Sequence, residues 1–301
     1  MKTLIIYNSY SGKNKIIRKI EYIKSRLKEK YNVVDCYESK SKHDIKNCIL
    51  LCANQYNTIL IAGGDGSLNE AINGLMLLKE KPILGYIPMG TCNDFGHSLG
   101  LTKSIDKIMD IILEGEYVYF NINQINSDYF IYGMAAGNFT DVSYKTKQIY
   151  KRRMGVLAYF LYAIKSFFLN KSFICNINMN GLSINRDCYC LIIVNSRFLA
   201  SFKLRFKNKI LNNGLNVVLI NKKNRFINFI DLSMFFLFGE KYNHNIEYYN
   251  SKGISINSKE GLKCNIDGEE VPILNNVSIN VIDKSIKFIV DKRIKEKYFN
   301  N

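Results

Sequence analysis

The sequence has 301 residues, of which 47% are hydrophobic and 23% are charged, with 3 prolines and 8 cysteines. This apolar content excludes a disordered or collagen-like chain, and the length allows one large domain or two ordinary ones. The 42 Lys and Arg against 26 Asp and Glu leave a net charge of +16, which suits nucleic acid, an anionic membrane face or phosphorylated small molecules. Lys is abundant along the whole chain, so composition alone is the other explanation of this excess.

The first 115 or so residues alternate between strand and helix patterns. Buried strands are predicted at 3–7, 33–37, 58–62 and 82–87. Apolar residues at helical spacing predict helices at 14–30, 45–54, 68–78 and 104–113. Because the links between these elements are short, the pattern predicts a parallel α/β layer.

From residue 117 onward the pattern changes to short strands with few helices. Strands are predicted at 117–125, 129–133, 173–178, 188–194, 215–220, 254–257, 262–266 and 277–281, and helices at about 150–170 and 225–238. Mostly sequential strands favour an antiparallel β-sandwich. We therefore predict a first domain over 1–121, completed by 285–301, and a second domain over 122–284.

Composition and the N-terminus also bear on the compartment. The cysteines lack CxxC spacing, which argues against a zinc site and a disulfide scaffold. The N-terminus has no apolar core or cleavage site of a signal peptide, so we expect a cytoplasmic protein.

The longest apolar stretch, 156–169, is shorter than the roughly 20 residues that span a bilayer. The basic residues lack a nucleic-acid-binding motif, so we expect no nucleic-acid partner.

The strongest local motif is Gly-Gly-Asp-Gly-Ser at 63–67, between a predicted strand and a predicted helix. Glycines leave backbone N–H groups uncovered and a helix N-terminus adds a partial positive charge, which together form a phosphate cradle. A carboxylate beside a phosphate needs a metal between them, so Asp65 indicates Mg²⁺ handling or orientation of an acceptor hydroxyl. The simpler alternative is that Asp65 or Ser67 caps the helix.

A second small polar loop, residues 88–95, follows the next strand and contains Thr91, Asn93 and Asp94. Loops at the carboxyl ends of parallel strands converge on one crevice, where these side chains can contact a nucleotide and its metal. The alternative is an Asn-Asp turn stabilised by its own side chains. Two weaker segments are 8–13, which follows the first strand at the same edge, and 265–270, whose carboxylates surround a glycine. Alone, the latter reads as an ordinary hairpin turn.

Together these motifs resemble the diacylglycerol kinase catalytic-domain family, the bacterial soluble lipid kinases related to sphingosine kinases. The resemblance covers most of the chain and rests on GGDGSLNEAINGL from residue 63 and PMGTCNDF from residue 88, supported by 8–12, 151–155 and Asp-Gly-Glu at 267–269. It implies an N-terminal parallel-sheet nucleotide-binding domain similar to those of NAD kinases and phosphofructokinases. It also implies a C-terminal antiparallel β-sandwich that serves the lipid substrate.

The resemblance further implies an ATP- and Mg²⁺-dependent kinase that converts diacylglycerol to phosphatidic acid. The residues it assigns to the nucleotide are Asn8, Ser11, Gly12, Ser39, Gly63, Gly64, Gly66, Ser67, Asn69, Glu70, Thr91 and Asn93. Asp65 and Asp94 would hold Mg²⁺ through water, and Asp65 counts also as catalytic. Glu269 would accept the proton of the lipid hydroxyl, with Asp267 as the alternative.

Three asparagines depart from the family pattern. Asn121 stands where many members carry an Asp that joins the Mg²⁺–water network, and Asn212 and Asn213 stand where bacterial members often carry an Asp pair that binds a structural Mg²⁺. Amides are poorer ligands than carboxylates for a hard dication. The departures fit a kinase for another lipid alcohol, such as a sphingoid base, or a paralogue that binds nucleotide or membrane without catalysis.

Residues 145–171 combine basic side chains with Phe and Leu, a composition typical of a helix that lies in an anionic headgroup layer. The alternative is a core helix with a solvated basic flank. We expect a membrane lipid substrate, transient binding to an anionic membrane surface and a peripheral location at the inner face of the membrane. The exposed edges of a β-sandwich also allow a homodimer.

Overall fold

The computed structural model describes residues 1–8, 16–101, 104–137, 172–207 and 214–299. The chain divides into two compact units, Met1–Ile122 with Ile282–Asn301, and Asn123–Val281. The division falls inside two strands, Glu116–Ile125 and Glu269–Val290.

The elements are numbered in chain order within the described residues. The helices are α1 (Ile20–Leu27), α2 (Asp44–Cys52), α3 (Asp65–Leu75), α4 (Asp94–Ser98), α5 (Ile105–Glu114), α6 (Arg225–Phe238) and α7 (Lys292–Tyr298). The strands are β1 (Lys2–Asn8), β2 (Val33–Ser39), β3 (Thr58–Gly63), β4 (Ile83–Pro88), β5 (Glu116–Ile125), β6 (Asp128–Phe130), β7 (Gly133–Gly137), β8 (Phe173–Met179), β9 (Leu182–Val194), β10 (Phe198–Leu199), β11 (Phe202–Lys203), β12 (Leu215–Asn221), β13 (Ile246–Ser251), β14 (Gly253–Ile266) and β15 (Glu269–Val290).

The first unit is built on parallel strands in the order β4-β3-β1-β2. The C-terminal part of β15 lies beside β4, where Phe288 pairs with Leu84 in parallel. Every residue of β3 is buried, which is the pattern of a strand covered on both faces of its sheet. Apolar side chains of β1, β3, α1 and α5 form one core cluster. The predicted alternation of strands and helices is therefore present.

The strand register brings the carboxyl ends of β1 to β4 to one edge of this sheet. Asn8 at the end of β1 pairs with Ser39 at the end of β2. Tyr7 pairs with Ala62, and Gly63 pairs with Pro88 at the ends of β3 and β4. The loops that follow these strands consequently begin side by side.

The second unit is antiparallel, and four of its strands form a closed hydrogen-bonded ring. Strand β9 pairs with β8 through its first half and with β7 through its second half. Strand β14 pairs with the same two partners in the same way. The ring encloses an apolar core, and β12 and β13 extend from β9. The separate layers expected of a sandwich are thus joined by long strands that pass from one pairing partner to another.

Several predicted elements differ from those found. The strands predicted at 254–257 and 262–266 are one strand, β14, because the ladder with β15 shifts register between Asn257 and Leu262 without ending. The predicted strand 277–281 is the middle of the 22-residue β15. The short helix α4 and the strand β13 were not predicted.

The helix predicted over 14–30 is present as α1, which begins only at Ile20. Helix α3 begins at Asp65, three residues earlier than predicted, because Gly64 is extended and its carbonyl accepts a hydrogen bond from Leu68 N–H. The helix predicted at about 150–170 lies outside the described residues.

Candidate active site

The loops after β3 and β4 meet at two glycines. The N–H of Met89 donates to the carbonyl oxygen of Gly63 over 2.8 Å. A Cβ atom on Gly90 would lie 2.7 Å from the Cα of Gly64 and 2.7 Å from Oδ1 of Asn93. The close approach of these two backbones therefore requires glycine at position 90.

Helix α3 begins within the motif at 63–67 and is 11 residues long. Its N-cap residue, Gly64, has no side chain to accept the first N–H groups of the helix. Gly66 and Ser67 belong to the first turn, and Ser67 is buried. Backbone N–H groups and the positive end of the helix dipole suit a phosphate at this position. The alternative that Asp65 or Ser67 caps the helix is wrong, because the N-cap is Gly64.

The two residues assigned to Mg²⁺ are joined by a hydrogen bond. The backbone N–H of Asp94 donates to Oδ2 of Asp65 over 3.0 Å, and Asp94 is 2% exposed. Among the residues that the structure describes, there is no cluster of three or more His, Cys, Asp or Glu side chains placed to bind a metal. Because Mg²⁺ in phosphate-transferring sites is usually held by one or two carboxylates, waters and substrate phosphates, a donor set of two aspartates fits it.

Asn93 holds the turn after β4. Its backbone is left-handed, with φ 53°. Its Oδ1 accepts the N–H of Gly90 over 2.8 Å, and its Nδ2 donates to the carbonyl oxygen of Gly90 over 2.9 Å. Both ends of the amide therefore serve the turn, as in the simpler of the two interpretations of this loop. Thr91, within the same turn, is exposed.

Tyr86, which the sequence analysis did not single out, connects the two loops. Its ring is 1% exposed, and its hydroxyl lies 3.2 Å from the carbonyl oxygen of Gly63 and 3.4 Å from Oδ1 of Asn93. Burial, reinforced by the charge and hydrogen bond of the Asp65 carboxylate, raises the pKa of Tyr86 well above its usual value. The hydroxyl therefore stays protonated and donates. The sequence feature that could have identified Tyr86 is that it is the aromatic residue in the otherwise aliphatic strand β4.

Two further residues assigned to the nucleotide make other contacts. Oε1 of Glu70 accepts the N–H groups of Ile45 at 3.1 Å and Lys46 at 3.4 Å, at the N-terminus of α2. A carboxylate there is stabilised by the helix dipole, and Glu70 thereby joins α3 to α2. Asn69 accepts hydrogen bonds from Nδ2 of Asn73 through its carbonyl oxygen and through Oδ1, one helical turn later.

The remaining nucleotide residues lie at the same sheet edge or outside the described residues. Asn8 and Ser39 are the last residues of β1 and β2, and Ser39 is buried. Ser11 and Gly12 lie outside the described residues, as do Asn212 and Asn213.

In the second unit, the acidic hairpin at 267–269 joins β14 to β15. Asp267 and Gly268 both have positive φ, 48° and 86°, as a two-residue type I′ turn requires. The carboxylate of Asp267 is buried, and it accepts backbone N–H groups from Ile131 at 2.7 Å, Tyr132 at 3.0 Å and Gly133 at 3.0 Å. Asp267 therefore fixes the hairpin to the segment before β7.

Glu269, the first residue of β15, is exposed, as is its neighbour Glu270. Alternate residues of a strand point to opposite faces, so the two glutamates have different surroundings. The solvent exposure of Glu269 leaves its carboxylate accessible to a substrate hydroxyl, unlike the buried carboxylate of Asp267.

Asn121, a departure from the family pattern, makes two hydrogen bonds to β15. Its Nδ2 donates to Oδ1 of Asp283 over 2.8 Å, and its Oδ1 accepts the N–H of Lys284 over 2.8 Å. Lys284 has positive φ, 50°. An aspartate at 121 would lose the donor that meets Asp283, so the amide suits these neighbours.

The segment predicted to bind a membrane surface, residues 145–171, lies outside the described residues. Within 1–8, 16–101, 104–137, 172–207 and 214–299, no helix has the length and apolar character needed to cross a membrane.

Comparison with known proteins connects this geometry to a kinase family. The sequence model of the diacylglycerol kinase catalytic domain matches residues 2–125. A protein named diacylglycerol kinase from Staphylococcus carnosus (strain TM300) is 30% identical over 268 residues, which cover 88% of this chain and 87% of that protein. Another of the same name, from Staphylococcus saprophyticus, is 30% identical over 267 residues, 88% of each chain.

Solved structures share the fold. A putative diacylglycerol kinase from Bacillus anthracis superposes with a TM-score of 0.82 at 21% identity and covers 97% of this chain and 96% of its own. An NAD kinase from Archaeoglobus fulgidus, solved in complex with ATP, has a TM-score of 0.55 at 13% identity and covers 99% and 97%. At these identities the similarity shows a mixed α/β fold in common.

Proposed function

The chain belongs to the diacylglycerol kinase family, and we propose on that basis that it transfers the γ-phosphoryl group of ATP to the hydroxyl of a membrane diacylglycerol, with Mg²⁺. The observation that supports nucleotide binding most is the contact between Asp94 and Asp65, which joins the loops after β3 and β4 at the carboxyl edge of the parallel sheet. That edge is where α/β sheets bind their ligands.

In this proposal, the first unit binds and orients the triphosphate. The N–H groups at the start of α3 donate to phosphate oxygens, and the exposed hydroxyl of Thr91 is available to them as well. Asp65 and Asp94 are the residues that would hold Mg²⁺. When bound, the ion would neutralise the charge that develops on the phosphate oxygens. Tyr86 keeps the two loops together.

Glu269 is the proton acceptor in this proposal. Glu269 takes the proton of the lipid hydroxyl as its oxygen bonds to the γ-phosphorus, and the bond from that phosphorus to the ADP oxygen breaks. Asp267 is less suited to this role because its carboxylate is buried and accepts three backbone N–H groups. We therefore assign Asp267 to positioning of the hairpin and Glu269 to general base catalysis.

The proposal extends to where the protein works. A diacylglycerol is part of a bilayer, so the enzyme would act as a peripheral protein at the cytoplasmic face of the membrane. The proposal includes a homodimer, since the exposed edge strands of an antiparallel sheet can pair with those of a second copy.

A phosphoryl-transfer assay tests the function. The full chain is incubated with ATP labelled at the γ-phosphate, Mg²⁺ and mixed micelles that contain diacylglycerol, sphingosine or no lipid alcohol. We expect labelled phosphatidic acid. Label on sphingosine would show that the substrate is a sphingoid base and not diacylglycerol. The absence of label on every lipid would favour a paralogue without catalysis.

Variants at neighbouring positions locate the base. Glu269→Gln should lower turnover by about 10²–10⁴-fold, the usual contribution of a positioned base. Glu270→Gln is the matched control, because it removes another exposed carboxylate from the next residue, and it should retain turnover. Equal rates for the two variants would remove Glu269 from the reaction.

A further inference from the structure

Helix α6 exposes an apolar stripe to solvent. Phe226, Ile230 and Leu237 are 69%, 39% and 59% exposed. At about 100° per residue these three positions fall within one narrow arc of the helix. Phe238, the last residue of the helix, is 48% exposed and lies about 100° around the helix from the stripe, so it adds exposed apolar surface at the C-terminal end without belonging to the stripe. Exposed large apolar side chains grouped on one helix face are unusual in a protein surface and mark an interaction site.

The opposite face of α6 is held firmly in the second unit. Asp231 is 0% exposed, and its carboxylate accepts hydrogen bonds from the Tyr242 hydroxyl at 2.7 Å and from Nδ2 of Asn245 at 3.0 Å, while Nδ1 of His244 lies 3.0 Å away. The ring of Phe235 is also 0% exposed and packs in an apolar cluster. These contacts fix the rotation of the helix, so the apolar stripe has to face outward.

Cations flank the N-terminal end of the stripe. Lys222, Lys223 and Arg225 are exposed and directly precede Phe226. Lys222 forms an ion pair with Asp187 at 3.0 Å. Among the described residues, no carboxylate forms an ion pair with Lys223 or Arg225, so this end keeps a net positive charge.

Cations also flank the C-terminal end. The guanidinium of Arg205 donates to the carbonyl oxygen of Leu237 within α6. Lys203 is next to Phe202, whose ring packs 5.0 Å from that of Phe236 on the same helix. Lys241 follows in the turn after α6, and all three basic residues are exposed.

We propose that this face of α6 is the surface by which the protein docks on an anionic lipid bilayer. The apolar stripe would enter the boundary between headgroups and acyl chains, and the cations at both ends would contact anionic headgroups. A helix with an apolar face, basic flanks and a firmly packed opposite face is built to lie in the plane of a membrane. The inference rests on the proposed function, which already brings the protein to a membrane, and it adds the surface that meets the bilayer.

A second copy of the chain fits this face less well. In a two-fold symmetric pairing of α6 helices, the cations at the ends of one stripe would meet those of the other. Four exposed apolar side chains are also few for a stable dimer, which needs about 20–30 residues on each side. Positive charge at both ends favours an anionic partner.

Vesicle sedimentation tests the proposal with the full chain and no ATP. The vesicles are phosphatidylcholine alone, or phosphatidylcholine with phosphatidylglycerol, at low and high salt. Because each cation near an anionic surface contributes about a fivefold change in partition, Lys223→Gln with Arg225→Gln should weaken binding to the anionic vesicles by about 25-fold at low salt. Binding should also weaken as salt rises.

The stripe itself is tested by Phe226→Ser with Leu237→Ser, which should lower partition by at least about tenfold. The control is Ile273→Ser, which removes an apolar side chain with the same 59% exposure as Leu237 from another surface of the same unit. It should bind like the wild type. Thermal melting of each variant verifies that the fold is intact.

Three results would overturn the proposal. The wild type could fail to bind anionic vesicles, or the Phe226 and Leu237 variant could bind as tightly as the wild type. Sedimentation equilibrium could also show a dimer that this variant dissociates, which would make a second copy the occupant. A failure of the kinase proposal is recognised separately, because it would leave vesicle binding intact while phosphate transfer in mixed micelles is absent.

Discussion

The backbone N–H of Asp94 donates a hydrogen bond to the carboxylate of Asp65 over 3.0 Å, so each of the two predicted Mg²⁺ residues fixes the position of the other. The loops that carry them are far apart in sequence and adjacent only because β3 and β4 pair in parallel. The chemistry proposed for the first unit therefore depends on how closely the two loops approach.

Gly90→Ala should disrupt that approach. Its Cβ would lie 2.7 Å from both Gly64 Cα and Asn93 Oδ1, so we expect a loss of about 1–3 kcal/mol in the free energy of unfolding. Gly64→Ala is the matched control, because its Cβ would lie at an ordinary 3.4 Å from Gly90 Cα. Urea unfolding measures both, and equal stability of the two variants would contradict the close contact.

Glu70→Ala should lower stability and leave nucleotide affinity nearly unchanged. The substitution leaves two N–H groups at the start of α2 without their carboxylate partner, which should cost about 1–2 kcal/mol. Urea unfolding gives the first quantity and calorimetric titration with Mg²⁺ and ATP gives the second. If Glu70 contacts the nucleotide, as the motif alone suggests, affinity will fall as well.

Asp267→Asn should destabilise the protein and Glu269→Gln should not. Asparagine at 267 would place its NH2 group either where Oδ2 now accepts the N–H of Ile131 or where Oδ1 accepts those of Tyr132 and Gly133, so at least one backbone N–H group loses its acceptor. We expect a loss of about 1–3 kcal/mol. Glu269 is exposed, so its substitution should change stability by no more than about 0.5 kcal/mol. If urea unfolding showed a larger loss of stability for Glu269→Gln than for Asp267→Asn, the structural and catalytic roles of the two acids would be exchanged.

Glu247 should make stability depend on pH in the acid range. Burial opposes ionisation, but hydrogen bonds from Arg186, Tyr249 and Asn221 outweigh it and lower the pKa of Glu247 from 4.5 to about 2. Since the folded pKa is depressed, its stabilisation is complete above pH 4.5 and is lost as pH falls toward 2. The full contribution is up to about 3 kcal/mol.

Urea unfolding at pH 7 and pH 3 tests this. Glu247→Gln should be less stable than the wild type at pH 7, and the difference should shrink at pH 3. Glu260→Gln, at an exposed carboxylate of the same unit, serves as the control. A difference that is the same at both pH values would rule out the charge of Glu247 as its origin.

Much of the first unit was readable from sequence because strands β1, β3 and β4 contain continuous apolar runs bounded by glycine, proline or polar residues. Strand β3, predicted at 58–62, is found at Thr58–Gly63. The convergence of the loops followed from parallel pairing alone. The five-residue helix α4 was not readable, since it is too short to show a helical period.

Side-chain partners were less predictable than elements. Glu70 lies in a motif that indicates phosphate binding, yet its carboxylate meets the N-terminus of α2, a contact that only tertiary packing creates. Tyr86 stands out in its strand as a tyrosine among aliphatic residues, but the sequence does not show that its hydroxyl lies beside the carbonyl oxygen of Gly63. The sequence alone predicted an ordinary hairpin turn at 265–270, because an Asp-Gly pair forms tight turns, and the structure has such a turn at Asp267 and Gly268.

Hydrogen–deuterium exchange of the full chain, with and without Mg²⁺ and ATP, tests the central claim that the loops after β3 and β4 hold the nucleotide phosphates. The account predicts slower exchange in peptides that cover 63–70 and 88–98 when the nucleotide is bound. Unchanged exchange in both segments, at a concentration where calorimetry shows that the sites are saturated, would contradict it.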